Sequence, residues 1–205
     1  MKKDYIEDIA NAERRFFAQP LKVEVREGKE SRTISGYAAV FNKDSEDFGG
    51  WVERIDPKAF DDVLNDDAVA LFNHDPNLIL ARNKVNLTLS IDEIGLKYSF
   101  DAPNTTAGND LLENIRLGNI KQSSFAFTAS STKWDDPADK NQKSIRTIMK
   151  VERLYDVSPV TYPAYPDTTV ASRSLKSKLE SDEKETKAHL VNIMKRKHEL
   201  FQLSQ

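Results

Sequence analysis

Apolar and polar residues alternate with a period of two through most of residues 21–157, and helical spacing interrupts that pattern only briefly. Leu21, Val23 and Val25 alternate with Lys22, Glu24 and Arg26, which predicts an antiparallel strand with one wet face. The turn Gly28-Lys29-Glu30-Ser31 leads to a return strand from Arg32 to Phe41, so the two form a hairpin. Gly36, inside that return strand, predicts a bulge or a close backbone approach. A polar loop over 42–50 ends on Gly49-Gly50, and Trp51 to Arg54 is a short strand. Asp56-Pro57 has the residue types of a helix start, with Phe60, Val63 and Leu64 as the apolar face. Asp67 to Phe72 is a strand running up to His74, and Val85 to Ser90 and Ile94 to Ala102 are strands around Asp92-Glu93. Pro103 to Thr106 leads into a helix bearing Leu111, Leu112, Ile115 and Leu117, which Gly118 stops. Strands at 123–130 and 144–157 flank a polar loop over 132–143, and Pro159, Pro163 and Pro166 punctuate the irregular run that follows.

The ends of the chain read differently. Over residues 1–17, Ile6, Ile9, Ala10 and Phe17 can share one helical face, and Pro20 closes that segment. Residues 172–205 hold eight Lys/Arg and five Asp/Glu, a balance of +3, against -6 for the rest of a chain whose net charge is -3. Leu190, Ile193, Met194, Lys197 and Phe201 have helical spacing there, which predicts a linker and an amphipathic helix. The organisation expected is a helical segment over 1–20, a β domain over 21–171 and a charged tail over 172–205. Many short strands with few helices predict a mainly β protein, its single antiparallel sheet closed into a barrel or sandwich.

Composition narrows the chemistry. With 39% hydrophobic residues in 205, the chain can bury a real core. The net charge of -3 gives no overall basic footprint for nucleic acid. No cysteine is present, which removes disulfides, thiolate nucleophiles and thiolate metal sites. No stretch approaches a membrane span, and the N-terminus lacks the apolar core of a signal peptide, so a soluble intracellular protein is expected. The histidines are His74, His189 and His198, and two of these lie in the charged tail, which argues against a multi-histidine metal centre.

The stretch Ser123-Ser124-Phe125-Ala126-Phe127 carries the chemistry. Alternation puts Phe125 and Phe127 on one face with Ser123, and puts Ser124 on the other with Ala126 and Thr128. A serine hydroxyl is a weak nucleophile until a base takes its proton, and histidine is the usual base. Ser124 and His74 are therefore the candidate nucleophile and base. A third group must fix the imidazole tautomer, and Asp75, Glu152 and Asp156 are the candidates. Asp75 follows His74 directly and on an extended backbone points away from it. Asp156 is favoured; it ends a later strand and shares alternation with Leu154 and Ser158. Taken singly, each residue has an ordinary structural use: a strand-end histidine, a small residue packed between strands, a turn-forming aspartate before Ser158-Pro159.

In order and spacing, several pieces together resemble the prohead (capsid maturation) proteases of tailed bacteriophages. They are Gly36 to Asn42, Gly49-Gly50 with Glu53-Arg54-Ile55 and Pro57 to Phe60, Phe72-Asn73-His74-Asp75, Gly95-Leu96, Gly118-Asn119-Ile120, Ser123 to Phe127, and Leu154 to Thr161 running on to Tyr165. The resemblance implies a serine endopeptidase with a small antiparallel β-barrel like that of the herpesvirus assemblins, surrounded by helices. It implies His74 as base, Ser124 rather than Ser123 as nucleophile, and Asp156 at a position where the family often has glutamate. Lys58 and Ala81 stand where glycine is common, and neither change removes a catalytic group. The implied partner is the major capsid protein precursor with its scaffolding segment, cut inside the assembling prohead in the host cytoplasm, followed by self-cleavage. No metal or cofactor is called for. The assemblins dimerise, which makes a homo-oligomer an option, although no stretch declares an interface. Backbone N–H groups near Ser124 or the Arg82 side chain are the candidates for stabilising an oxyanion. The tail is either a solvated end or a removable segment that docks on scaffold. The competing function is a non-catalytic scaffold or assembly factor, which needs His74 and Ser124 to lie apart.

Overall fold

The computed structural model describes residues 12–17, 21–23, 31–139, 142–162, 175–176, 178–180, 183–184 and 187–196. The chain divides into two compact units, Met1–Pro166 and Asp167–Gln205. In the second, residues 187–196 form an exposed helix that includes His189, Leu190, Ile193 and Met194. His198 and Phe201 lie outside the described residues.

The first unit is mainly β. Its strands are β1 (Glu13–Phe17), β2 (Lys22–Val23), β3 (Thr33–Val40), β4 (Trp51–Ile55), β5 (Val69–Phe72), β6 (Asp75–Arg82), β7 (Leu87–Ile91), β8 (Gly95–Asp101), β9 (Gln122–Asp135) and β10 (Ser144–Val160). One helix, α1 (Thr106–Arg116), lies between β8 and β9. The described strands do not close into one antiparallel barrel. They form a six-stranded sheet, in the order β1-β9-β10-β5-β6 with β4 also on β10, and a four-stranded sheet, β2-β3-β8-β7. The larger sheet is mixed, because β4 and β5 both pair parallel to β10. The length of β10 explains this: its first residues carry β4 and its last carry β5 on the same edge.

Most predicted strands are present, and four expectations are corrected. Residues 13–17 are a strand and not part of a helix, whereas 1–11 lie outside the described residues. Pairing with β9 over Glu13–Phe17 decides that segment, since tertiary pairing overrides a weak helical pattern. After Asp56 the chain makes successive tight turns, closed by bonds such as Ala59 N–H to Asp56 O and Val63 N–H to Phe60 O, each three residues apart. The Asp56 carboxylate accepts from the Lys58 N–H as a cap would, and Phe60 and Val63 are buried as predicted, but no α-helix follows. The strand β6 was not expected, and β9 runs past its predicted end into the start of the predicted polar loop, as far as Asp135.

Local rules hold where they were specific. The Thr105 hydroxyl caps α1 by accepting from the Gly108 N–H, and Leu111, Leu112 and Ile115 are its buried face. Gly118 ends it at a φ of 75°, the left-handed conformation that a residue with a Cβ resists. Gly36 sits just before a register shift in the β3–β8 pair, and a Cβ there would come within 2.7 Å of the Leu21 side chain. The core joins both sheets: Phe125 and Phe127 stack at 4.9 Å, and Phe60 meets Phe125 edge-on at 5.6 Å.

Candidate active site

Ser123 and Ser124 point in opposite directions, as alternation requires. Ser123 is fully buried and shares a hydrogen bond of 2.8 Å with the Tyr98 hydroxyl of the other sheet. Burial pushes the Tyr98 phenol well above its ordinary pKa, so it is neutral. Replacing Ser123 with alanine leaves that hydroxyl unpaired and should cost about 1–3 kcal/mol of stability. The opposite face, with Ser124, should be untouched, and denaturant melts run beside assays of Ser124 reactivity check both parts.

Ser124 faces the other way, toward His74. The hairpin from β5 to β6 turns on Asn73 and His74, both left-handed with φ of 56° and 58°. Two consecutive positive φ values make a two-residue hairpin of the kind that suits strand twist, and asparagine is well adapted to its first position. Asn73 also clamps the tip to the end of β10. Its N–H donates to Pro159 O at 3.0 Å, its Oδ1 accepts from the Thr161 N–H at 2.8 Å, and its Nδ2 donates to Thr161 Oγ1 at 3.3 Å. His74 is thereby held over β10, with Nε2 2.6 Å from Ser124 Oγ and Nδ1 2.6 Å from Asp156 Oδ1.

A bulge puts Asp156 within reach. In the β9–β10 register Leu154 lies opposite Phe127, Asp156 opposite Ala126 and Ser158 opposite Ser124. The register shift between Leu154 and Asp156 flips the alternation there. Leu154 faces the core with Phe127, whereas Asp156 and Ser158 share the face of Ser124. The expectation that Leu154 and Asp156 share a face is thus corrected. Asp156 and Ser124 become diagonal neighbours on one face, a separation one imidazole can bridge. Ser158, unmarked in the sequence reading, donates to the same Asp156 Oδ1 at 2.6 Å and so helps hold the carboxylate.

The other candidates lie elsewhere. Asp75 accepts from the N–H and the amide of Asn77 in its own turn, and Glu152 is exposed. Arg82 makes a two-bond pair with Asp67 at the surface. The scaffold alternative needed His74 and Ser124 apart, and they are in contact.

A second buried constellation was missed by sequence reasoning. Arg15 of β1 reaches Glu53 of β4 through Nε at 2.6 Å and Nη2 at 3.1 Å, and Glu13 through Nη2 at 2.5 Å. Arg146 of β10 donates to Glu53 at 2.6 Å and to Glu13 at 2.7 and 2.9 Å. Burial alone would raise the Glu13 pKa, but the Arg146 hydrogen bonds and the fields of Arg15 and Arg146 outweigh it, and the carboxyl is lowered. Burial likewise disfavours charge on Arg15 and Arg146, and the acids reverse that, so both are raised. Nothing local in the sequence brings these four residues together; strand pairing does.

A family model for caudovirus prohead serine proteases matches residues 19–184. The chain belongs to that family. It is a serine protease of the prohead. Among solved structures, the bacteriophage T4 capsid assembly protease is similar at 14% identity, over 74% of this chain and 98% of that one, with a TM-score of 0.46. No curated protein matches the chain.

Proposed function

We propose that this prohead protease cuts the scaffolding segment of the major capsid protein precursor, and then itself, using Ser124 as nucleophile, His74 as base and Asp156 as the group that orients His74. The observation that carries the assignment is the unbroken run of hydrogen bonds from Ser124 Oγ through both nitrogens of His74 to Asp156. With Nδ1–H donated to Asp156, Nε2 is left unprotonated to accept the Ser124 proton. Ser124 Oγ attacks the scissile carbonyl carbon as its proton passes to Nε2. Collapse of the tetrahedral intermediate breaks the C–N bond, and His74 gives the proton to the leaving amine. Water then repeats the sequence on the acyl-enzyme and frees Ser124. Asp156 stays ionised throughout and steadies the imidazolium.

The test is co-expression with the capsid precursor, read by intact mass. Wild type should yield a shortened capsid protein, and Ser124→Ala should leave it at full length. A shortened product from Ser124→Ala would end the assignment. Loss of part of the protease tail after residue 171, seen in the same spectra only with wild type, is the expected sign of self-cleavage.

A further inference from the structure

Ser124 is 0% exposed, although the nucleophile of a peptidase has to meet a peptide. Strand β1 runs alongside it. Phe16 lies opposite Ser124 in the β1–β9 register, and the Ser124 hydroxyl donates to the Arg15 carbonyl oxygen at 2.9 Å. That hydroxyl has a single proton, and with β1 in place the Arg15 carbonyl oxygen competes with His74 Nε2 for it. The Arg15–Phe16 peptide therefore stands where a scissile bond would, but presents its oxygen rather than its carbon to Ser124.

We propose that β1 is a tethered occupant of the substrate's place: the segment to be cut adds to the same edge of β9, with a basic residue at the Arg15 position received by Glu53 and an acidic residue two positions earlier received by Arg146. This rests on Ser124 being the nucleophile. Three observations support it. Strand β1 is an edge strand bonded to β9 alone among the described strands, so it can leave without breaking another ladder. It precedes the family-matched residues 19–184. The groups that hold it side-on survive its departure, because Glu53 and Arg146 remain paired with each other at 2.6 Å. An incoming extended segment would recover the β9 edge hydrogen bonds by strand addition, and the charged pair would read its alternate side chains. A tether supplies an effective concentration on the order of millimolar, so substrate must be presented at comparable density to displace β1.

The experiment uses the full chain and a fluorophosphonate, which Ser124 attacks at phosphorus. A P–O bond forms, fluoride leaves and the serine proton passes to His74. Intact mass reads the labelling rate at Ser124. Arg15→Ala, which loosens β1, should label at least about tenfold faster than wild type. A peptide with the sequence of residues 10–20, added in trans to that variant, should slow labelling again, and the same peptide with alanine at the Arg15 position should not. Because the chain has no cysteine, Arg14→Cys/Ala126→Cys places a lone pair at positions opposite each other in the β1–β9 register. Its oxidised form should label at least about tenfold slower than its reduced form. This lock decides the matter if Arg15→Ala does not fold. Equal labelling in the locked and reduced forms overturns the proposal and leaves Ser124 as nucleophile. Equal protection by both peptides, or by neither, overturns the charged pocket. Absence of labelling in every form overturns both this inference and the assignment of Ser124.

Discussion

Ser124→Ala and His74→Ala should each lower kcat by about 10⁶-fold, and the double variant should do no worse than either alone. The non-additivity is the informative part. The imidazole has no proton to collect without the hydroxyl, and the hydroxyl has no base to take its proton without the imidazole, so removing one disables both. The two residues touch at 2.6 Å, which makes strong coupling the expected result. Structural costs differ. Ser124→Ala removes a buried hydroxyl that donates to Arg15 O and should fold. His74→Ala takes one hydrogen-bond partner from the buried Asp156 carboxylate and should cost about 1–3 kcal/mol of stability. Single-turnover cleavage of the capsid precursor, beside thermal melts, checks both. Independent, additive losses would show that serine and histidine do not act as a unit.

Asp156→Asn should lower kcat by about 10⁴-fold while leaving KM and the fold nearly intact. That loss corresponds to about 5 kcal/mol of transition-state stabilisation. The carboxylate Oδ1 accepts from both His74 Nδ1 and Ser158 Oγ, at 2.6 Å each. An asparagine can turn its amide N–H toward Nδ1, which then becomes an acceptor and moves the imidazole proton to Nε2. A protonated Nε2 cannot accept from Ser124. The negative charge that steadies the imidazolium is lost as well. The split between kcat and KM, read beside thermal melts of wild type and Asp156→Asn, separates this role from a structural one, because a loss confined to kcat in a folded variant is a loss of transition-state stabilisation. An unchanged kcat would return Asp156 to a role in the turn before Ser158-Pro159.

The strands were legible because their determinants are local. Period-two alternation marks a half-buried strand whatever lies beside it, and it separated Ser124 from Ser123 through Phe125 and Phe127. The Thr105 cap and the Gly118 stop of α1 were legible for the same reason, since each acts within one turn of the helix. The short run after Asp56 misled, because a cap residue and an apolar face are equally compatible with successive tight turns. Strand β1 misled because the buried residue among its described side chains is an arginine, and no hydropathy pattern marks a buried cation whose partners are Glu13 nearby and Glu53 far along the chain.

By itself the sequence determined most of the strands, though not β1 or β6, where α1 begins and ends, and which serine faces away from the core. Only the tertiary structure decided how those parts combine. The bulge before Asp156 turns its carboxylate from the core face to the face of Ser124, because one extra residue in β10 shifts every later side chain by one face. The Asn73 clamp on β10 brings the His74 hairpin across to both. Neither a bulge nor a cross-strand clamp leaves a local signature. Each exists only once two strands, distant in the chain, have fixed their register, and that register is set by which faces are buried.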